Sequence, residues 1–280
     1  MNNIKINNKV ISFDSPLIMG ILNLTPDSFY DGGSYINDEQ IIERIEKILS
    51  DGADIIDLGA YSSRPGAEHI SEELEVSRLL PAIRIIAKYF PDVIVSVDTF
   101  RASVVEKIHE IYDDFIINDI SGGTMDDRMY NIVVKLDLPY IMMHMKGTPQ
   151  NMQSNPIYDN VVEEVYEYFS KRIEILKAKG YNKIILDPGF GFGKTLEHNY
   201  EILRNMDKYK SFGFPVLAGV SRKSMICKLL KCNPSEALTG TIAINTLSLG
   251  KGADILRVHD VKDAVETVKI FNAFKKGIID

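Results

Sequence analysis

The chain has 280 residues, of which 45% are hydrophobic, and carries a formal net charge of −7 with a pI of about 5.4. This acidic balance excludes the basic stripe that a nucleic-acid-binding surface requires, and no segment approaches the roughly 18 consecutive apolar residues of a membrane-spanning helix. The length suits one large domain, and we expect residues 1–280 to form a single domain.

The two cysteines, Cys227 and Cys232, lie in a helical pattern with the spacing C-x4-C. This spacing is unusual for a metal or redox pair, and no histidine cluster accompanies it. Reduced thiols and an N-terminus without a signal-like apolar run predict a cytoplasmic protein.

The N-terminal segment Ile4–Phe13 alternates apolar and polar residues around Asn7-Asn8, which predicts a hairpin that plugs the base of a larger fold. Short apolar runs then alternate with amphipathic stretches. The predicted strands are Leu17–Ile21, Ile55–Leu58, Val93–Val97, Phe115–Ile117, Tyr140–Met143, Ile184–Leu186, Val216–Ala218 and Ile255–Val258. The predicted helices are Ile41–Leu49, Leu74–Tyr89, Ala102–Ile111, Met129–Leu136, Val161–Lys179, Leu196–Met206, Ser224–Leu230 continuing through Ala237–Leu249, and Val261–Phe274.

Eight strands that alternate with helices in about 250 residues predict an α/β fold, a (β/α)8 TIM barrel with a short N-terminal β-hairpin. A doubly wound open sheet is the alternative, although it usually has fewer strands. The barrel makes a further prediction, because its active sites lie at the carboxyl ends of the strands. Polar residues follow all eight runs, beginning at Asn23, Asp57, Asp98, Asn118, His144, Asp187, Ser221 and Arg257.

The stretch Ile184–Thr195, with the sequence I-I-L-D-P-G-F-G-F-G-K-T, predicts a strand, a glycine-rich loop and a helix start, an arrangement typical of ligand sites. It is not a P-loop, because that motif requires glycine where Pro188 stands. A dinucleotide fingerprint also fits poorly, since its third glycine would fall on Thr195 or Leu196. We interpret the loop as a binding site and Lys194-Thr195 as a plain helix start.

Three polar side chains follow the third, fourth and sixth predicted strands and suit one flat heterocycle. Asp98 and Asp187 could each accept two parallel hydrogen bonds from an amidine-like edge, and Asn118 offers a donor and an acceptor. The alternative for Asp98 is an N-cap of the helix that follows.

Basic side chains after the second, seventh and eighth predicted strands, namely Arg64, Lys223, Arg257 and His259, suit an anion, because barrels often bind phosphate near their last strands. The alternatives are solvated charges and, for His259, a hydrogen-bonded histidine at the rim. His144 is interpreted as structural, since no second histidine makes a metal pair. The loops 23–33 and 62–67 are long enough to close over a ligand.

Taken together, these segments resemble the dihydropteroate synthase family. The resemblance rests on M-G-I-L-N-L-T-P-D-S-F, S-R-P-G-A, V-D-T-F-R, I-N-D-I-S-G-G, M-H-M-K-G-T-P-Q-N-M-Q, L-D-P-G-F-G-F-G-K, G-V-S-R-K-S-M-I and R-V-H-D, which run from Met19 to Asp260. It implies a (β/α)8 barrel that condenses 6-hydroxymethyl-7,8-dihydropterin diphosphate with 4-aminobenzoate. The products are diphosphate and 7,8-dihydropteroate, in folate synthesis, and sulfonamides are inhibitors that mimic the aminobenzoate.

The resemblance also implies roles for individual residues. The pterin would contact Asp98, Asn118, Asp187, Lys223 and Arg257. The diphosphate would contact Asn23, Ser63, Arg64, Arg257 and His259, with Mg2+ as cofactor near Asn23. The 4-aminobenzoate would contact Phe29, Pro65, Phe192 and Ser221. Asp98, Lys223, Arg257 and Arg64 would be catalytic, and the enzyme would be a homodimer that uses Ala237–Leu249.

The chain departs from the expected family motif G-G-E-S-T-R-P-G at one loop, where Tyr61 replaces the glutamate and Ser63 replaces the threonine. Two alternatives stay open. A corrinoid-linked pterin methyltransferase would not need the segments N-L-T-P-D-S-F and S-R-P-G. A non-catalytic pterin-binding paralogue should have lost the diphosphate ligands, which are present here.

Overall fold

The computed structural model describes residues 3–6, 9–25, 37–62, 68–152 and 156–276. Its strands are β1 Ile4–Ile6, β2 Lys9–Ile11, β3 Leu17–Asn23, β4 Ile55–Gly59, β5 Ile94–Asp98, β6 Ile116–Asp119, β7 Tyr140–Met143, β8 Ile184–Asp187, β9 Leu217–Ala218 and β10 Ile255–Val258. Its helices are α1 Asp38–Ser50, α2 Glu72–Tyr89, α3 Ala102–His109, α4 Met129–Leu136, α5 Val161–Ala178, α6 Leu196–Arg204, α7 Ser224–Leu230, α8 Leu238–Gly250 and α9 Val261–Lys276.

The eight strands β3 to β10 form one parallel sheet in the order β8-β7-β6-β5-β4-β3-β10-β9. The sheet closes on itself between its first and last strands. The amide of Leu186 in β8 donates to the carbonyl of Pro215 at 2.9 Å, and Leu186 pairs with Val216, next to β9. The predicted TIM barrel is therefore confirmed, and an open doubly wound sheet is excluded.

The hairpin plugs the amino-terminal end of the barrel, as predicted. Strands β1 and β2 pair antiparallel, with Ile4 opposite Ile11. The apolar side of the hairpin packs on the lowest inward-facing layer of the barrel strands, which consists of Met19, Ile55, Ile116, Ile141, Ile185, Leu217 and Ile255. The turn residues Asn7-Asn8 lie outside the described residues. Because this end is filled with apolar side chains, ligands have access only from the carboxyl ends of the strands.

The helices cover the outside of the barrel with their apolar faces. Helix α1 is typical: Asn37 and Gln40 form a capping box at its start, and Ile41, Ile45 and Ile48 are buried against the strands. No helix in the described ranges is long and apolar enough to cross a membrane.

One predicted helix is wrong in its extent. The pattern from Ser224 was expected to continue through Leu249, but α7 ends at Leu230 and Lys231 adopts a left-handed conformation with φ 55°. A short 3-10 turn, Pro234–Glu236, capped by Asn233, then leads into α8. The break has a local cause, since Pro234 supplies no backbone N–H and cannot continue a helix.

Candidate active site

A polar layer lies above the apolar base of the barrel. Alternate residues of each strand point inward. The inward-facing residues that follow the apolar base layer along the strands therefore line the mouth. This phase brings together Asp57 of β4, Ser96 and Asp98 of β5, Asn118 of β6, Asp187 of β8 and Arg257 of β10. Five of these six side chains carry a charge or an amide inside a closed barrel, where such groups are costly unless they are paired.

Arg257 is held between two carboxylates. Its Nε donates to Oδ2 of Asp57 at 2.7 Å, and its Nη2 donates to Oδ2 of Asp98 at 2.9 Å and forms an ion pair with Oδ2 of Asp57 at 2.6 Å. The Asp57 side chain is 0% exposed, whereas Arg257 and Asp98 keep 19% and 17% of their side-chain surfaces in contact with solvent. Within the described part of the chain Nη1 makes no hydrogen bond, so one guanidinium nitrogen is left for a ligand at the mouth.

The second oxygen of Asp57 organises the neighbouring strands. Oδ1 accepts from the Ser96 hydroxyl at 2.6 Å and from the Asn118 amide at 3.1 Å. We assign the Asn118 amide from this contact: its nitrogen must face the carboxylate, so its oxygen is left as a hydrogen-bond acceptor.

Asp98 ionises with difficulty. Burial raises its pKa to about 7, despite the opposing effect of Arg257, and the negative charge of Asp57 adds to the rise. Asp98 is not the N-cap of α3, because Arg101 holds that position. The N-cap alternative is therefore wrong.

We expect the stability of the protein to respond to this pKa. Because the pKa of Asp98 is higher in the folded protein than the usual 3.8, the folded state holds the proton more tightly than the unfolded state. The resulting contribution to the free energy of unfolding is fully present below about pH 4 and is lost as the pH rises through 7. As the pH rises from 5 to 8, the stability of the Asp98→Asn variant relative to the wild type should therefore increase by an amount on the order of 2 kcal/mol. Thermal unfolding of both proteins across this pH range measures the difference, and a constant difference would contradict the assignment.

Asp187 and Lys223 face each other across a bare floor. Asp187 Oδ1 accepts from the Gly189 amide at 2.7 Å, and Lys223 Nζ donates to the Phe190 carbonyl at 2.5 Å. A Cβ built on Gly219 would stand 3.8 Å from Lys223 Nζ and 3.9 Å from Asp187 Oδ2, so the glycine leaves flat space between the two charges. Burial raises the pKa of Asp187 and lowers that of Lys223 to about 8, and each charge opposes the shift of the other.

His259 presents a neutral imidazole at the rim. Burial lowers its pKa to about 4, and the positive charge of Arg257 acts in the same direction. Ser221 Oγ accepts from the His259 amide at 3.2 Å and lies 3.0 Å from Nδ1. If the hydroxyl donates to Nδ1, the ring proton is on Nε2, which can donate to an anion. Ser221, predicted for the aminobenzoate slot, thus orients a predicted diphosphate ligand.

Asn23 ends β3 beside a glycine that keeps the mouth open. A Cβ on Gly59 would lie 3.3 Å from Asn23 Oδ1 and 3.9 Å from Asp98 Oδ2. The described residues contain no group of three or more His, Cys, Asp or Glu that could hold a metal ion. The hard oxygen of Asn23 fits Mg2+ only if a phosphate-bearing substrate and water supply most of the other ligands, which is the usual mode for this ion.

Lys194 is a correction to the sequence interpretation, which treated it as a plain helix start. Its buried Nζ donates to the carbonyls of His144, Gly189 and Phe192 at 3.2, 2.8 and 2.9 Å and lies 3.0 Å from His144 Nδ1. Burial lowers the pKa of Lys194 well below its usual value. Lys194 therefore shapes the glycine-rich loop from inside. Thr195 caps α6, as expected. The missed signal is a lysine that follows a loop rich in glycine, whose carbonyls need donors.

His144 is buried and its pKa is lowered well below the usual value, mainly by burial and then by Lys194. It is neutral, in agreement with a structural role. Tyr61, which replaces the glutamate of the family motif, is also buried. Its hydroxyl lies 3.1 Å from His69 Nδ1 and accepts from Gln150 at 2.8 Å, and its ring packs edge-on against Phe100. The Arg101 guanidinium lies over the same ring, 5.6 Å from its centroid.

The structure brings together nine of the predicted site residues at one end of the barrel, namely Asn23, Asp98, Asn118, Asp187, Phe192, Ser221, Lys223, Arg257 and His259. Phe192 is half-buried, and its ring lies 4.7 Å from Lys223 Nζ. Four predicted residues, Phe29, Ser63, Arg64 and Pro65, lie outside the described residues. Asp57 was predicted at this end of the barrel but had no predicted role, although its phase on β4 matches that of Asp98 on β5.

Comparison with known proteins shows which family the chain is similar to. Residues 19–259 match a family described as pterin binding enzyme. Dihydropteroate synthase of Haemophilus influenzae is 41% identical over 269 residues, which cover 95% of this chain and 97% of that protein.

Two solved structures have the same fold. The Yersinia pestis dihydropteroate synthase, determined with a sulfonamide drug complex, has a TM-score of 0.92 at 39% identity and covers 98% of this chain and 100% of its own. The Xanthomonas albilineans dihydropteroate synthase with 4-aminobenzoic acid has a TM-score of 0.89 at 33% identity, with coverages of 99% and 100%.

Proposed function

The chain belongs to the pterin binding enzymes and, within them, to the dihydropteroate synthase family, and we propose that its barrel mouth joins a pterin to 4-aminobenzoate. The substrates are 6-hydroxymethyl-7,8-dihydropterin diphosphate and 4-aminobenzoate, and the products are 7,8-dihydropteroate and diphosphate, a step of folate biosynthesis. The observation that carries the proposal is the placement of Asp187 and Lys223 across the bare Gly219 floor, in the same barrel mouth as the paired Asp98 and Asn118.

The pterin lies in the polar layer. Its 2-amino and N3 edge donates to Asp187, and Lys223 donates to its O4 and N5 side. Asn118 accepts through its amide oxygen, because its nitrogen is engaged by Asp57. Arg257 stacks on the ring and directs its remaining nitrogen toward phosphate.

The diphosphate contacts Asn23, Arg257 and His259, together with Ser63 and Arg64 from the segment outside the described residues. When bound, Mg2+ at Asn23 neutralises the negative charge on the leaving group. The neutral His259 contributes an N–H donor whose strength does not change near pH 7, because its pKa is about 4.

We expect Asn23→Ala to weaken Mg2+-dependent turnover and to leave binding of the bare pterin unchanged. The substitution removes an oxygen ligand but touches no pterin contact, so the Mg2+ concentration for half-maximal rate should rise about tenfold. Turnover against Mg2+ concentration and calorimetric titration with 6-hydroxymethyl-7,8-dihydropterin measure the two effects. Asn23→Asp, which keeps an oxygen ligand, is the control, and loss of pterin binding in Asn23→Ala would refute this role.

The 4-aminobenzoate occupies a slot formed by Phe192 and Ser221, with Phe29 and Pro65 from the loops outside the described residues. Phe192 lies at the edge of an apolar cluster that includes Met143 and Met145, which suits the face of a benzene ring. Sulfonamides are proposed to bind in the same slot, by analogy with the Yersinia pestis enzyme.

The reaction requires no covalent intermediate. The bond between the pterin methylene and the diphosphate oxygen breaks, and Arg257, His259 and the predicted Arg64 stabilise the departing charge. The resulting pterin cation is stabilised by the nearby Asp98 carboxylate. The amine of 4-aminobenzoate then attacks the methylene and loses a proton to solvent or to the released diphosphate.

The two rival functions are less well supported. A corrinoid-linked methyltransferase would not need the diphosphate ligands, and a non-catalytic paralogue should lack them. Asn23, Arg257 and His259 all face the mouth, and Arg257 is held in place by two carboxylates.

We also propose that the enzyme is a cytoplasmic homodimer. Its two cysteines are free thiols, which suits a reducing compartment. Several apolar side chains of the last three helices are more than half exposed, including Leu229, Leu230, Leu247, Ile270 and Phe274. A surface of this kind favours association through the later half of the chain.

A further inference from the structure

We infer that Asp57 is a positioning residue that sets the orientation of both Arg257 and Asn118 for the pterin. The inference rests on the proposed function and extends it to a residue that the sequence analysis left without a role. Asp57 is fully buried in the barrel, so it does not itself touch the substrate. Its influence must pass through its hydrogen-bond partners.

The two oxygens of Asp57 contact residues on different strands. Oδ2 accepts from Nε of Arg257 at 2.7 Å and forms an ion pair with Nη2 at 2.6 Å. Together with the hydrogen bond from Nη2 to Asp98, these contacts fix the plane of the guanidinium as well as its position. Oδ1 accepts from Asn118, at 3.1 Å, and from Ser96, at 2.6 Å. One carboxylate therefore connects β4 with β5, β6 and β10 at the level of the site, through three donated hydrogen bonds and one further ion-pair contact.

This arrangement determines which atoms remain for the substrate. One N–H of the Asn118 amide is engaged by Asp57, so the amide oxygen is turned away from the carboxylate and is available to accept from a ligand N–H. Arg257 has Nε and Nη2 engaged, so only Nη1 remains for a ligand. A neutral amide in place of Asp57 would have to point its own N–H at one of these donors. Both pterin contacts would then be disturbed by a residue that makes neither.

A purely structural ion pair would not produce this pattern. Glu75 and Arg101 form a second buried pair in the same protein, with Arg101 Nη1 2.5 Å from Glu75 Oε2. Neither member contacts a proposed pterin ligand, and one oxygen of Glu75 has no partner among the described residues. Glu75→Gln is therefore a matched control, because it makes the same chemical change at a buried carboxylate paired with arginine.

The test compares Asp57→Asn with Glu75→Gln and the wild type. Calorimetric titration with 6-hydroxymethyl-7,8-dihydropterin should show an affinity loss of about 10- to 100-fold in Asp57→Asn and less than about threefold in Glu75→Gln. The KM for 4-aminobenzoate should stay within about twofold of the wild type in both variants, because that slot is formed by other residues. Unchanged pterin affinity in a folded Asp57→Asn protein would overturn the inference.

The pH dependence of kcat/KM is a second measurement, and a purely structural role of Asp57 would leave it unchanged. The charged groups around Asp98 are Arg257, Asp57, Glu75 and Asp119, and Arg257 has the largest effect, followed by Asp57. Neutralising Asp57 removes a negative neighbour and leaves Arg257 to pair with Asp98 only. The acidic limb of kcat/KM should therefore move to lower pH in Asp57→Asn, and further than in Glu75→Gln. A limb that stays in place would contradict the inference.

Two safeguards keep the result interpretable. If Asp57→Asn does not fold, Ser96→Ala serves instead. It removes the hydroxyl that donates to Asp57 Oδ1, the oxygen that also accepts from Asn118. Pterin affinity should fall about threefold, with no change in the KM for 4-aminobenzoate. Unchanged pterin affinity would count against the inference. If the wild type itself releases no diphosphate in the presence of 4-aminobenzoate, the proposed function fails. If the wild type is active and the variants bind pterin normally, only the positioning role fails.

Discussion

Replacement of Asp187 or Lys223 by alanine is expected to abolish detectable binding of 6-hydroxymethyl-7,8-dihydropterin. These are the two charged groups on opposite sides of the bare Gly219 floor. Removing either leaves the other buried without its counter-charge and leaves one edge of the ring without a charged hydrogen-bond partner. The loss of one such contact costs about 2–5 kcal/mol, equivalent to a decrease in affinity of about 30- to several-thousandfold.

Calorimetric titration of both variants with the bare pterin measures this loss. Lys183→Ala is the matched control. Lys183 directly precedes β8, at the end opposite Asp187, and pairs with Asp137 at the surface. It should bind pterin like the wild type. Unchanged affinity in both site variants would refute the assignment of the pterin pocket.

Arg257→Ala is expected to lower both activity and stability. The substitution leaves Asp57 and Asp98, which both bind the guanidinium, without a positive partner inside the barrel. Breaking a buried ion pair by removing one partner costs about 3–5 kcal/mol. Turnover should fall by at least about a thousandfold, because the same side chain contacts both the pterin and the phosphate.

The loss of stability should depend on pH in a defined direction. Without Arg257, Asp98 favours its protonated form even more strongly, so the penalty is largest above pH 7 and smaller at pH 5. Denaturant unfolding at the two pH values measures it. Arg257→Lys, which keeps the charge but not the planar fork, should be intermediate in stability. A loss below about 1 kcal/mol at pH 8 would contradict the described pairing, given the usual cost of breaking a buried pair.

The barrel and the location of its mouth could be predicted because both depend on local periodicity. Each strand is a short apolar run, and each of the site residues Asp98, Asn118 and Asp187 comes directly after such a run. Period-two alternation then places all three on the inner surface. The hairpin was predictable for the same reason, since Ile4 and Ile6 alternate with polar neighbours and are buried.

The contacts between distant residues could not be predicted in this way. Asp57 and Arg257 are 200 residues apart, and only the closed barrel places them in contact. Lys194 looks like an ordinary helix start until the fold brings the His144 carbonyl to its ammonium. The break between α7 and α8 was missed because the apolar pattern continues on both sides of Pro234. The roles of Phe29, Ser63, Arg64 and Pro65 come from the family resemblance and stay predictions.

The most direct test of the proposed function is diphosphate release from 6-hydroxymethyl-7,8-dihydropterin diphosphate by the purified protein. We predict release that requires both 4-aminobenzoate and Mg2+, with one 7,8-dihydropteroate formed for each diphosphate. Absence of release, or release that does not depend on 4-aminobenzoate, would contradict the assignment of this barrel as a pterin-condensing enzyme.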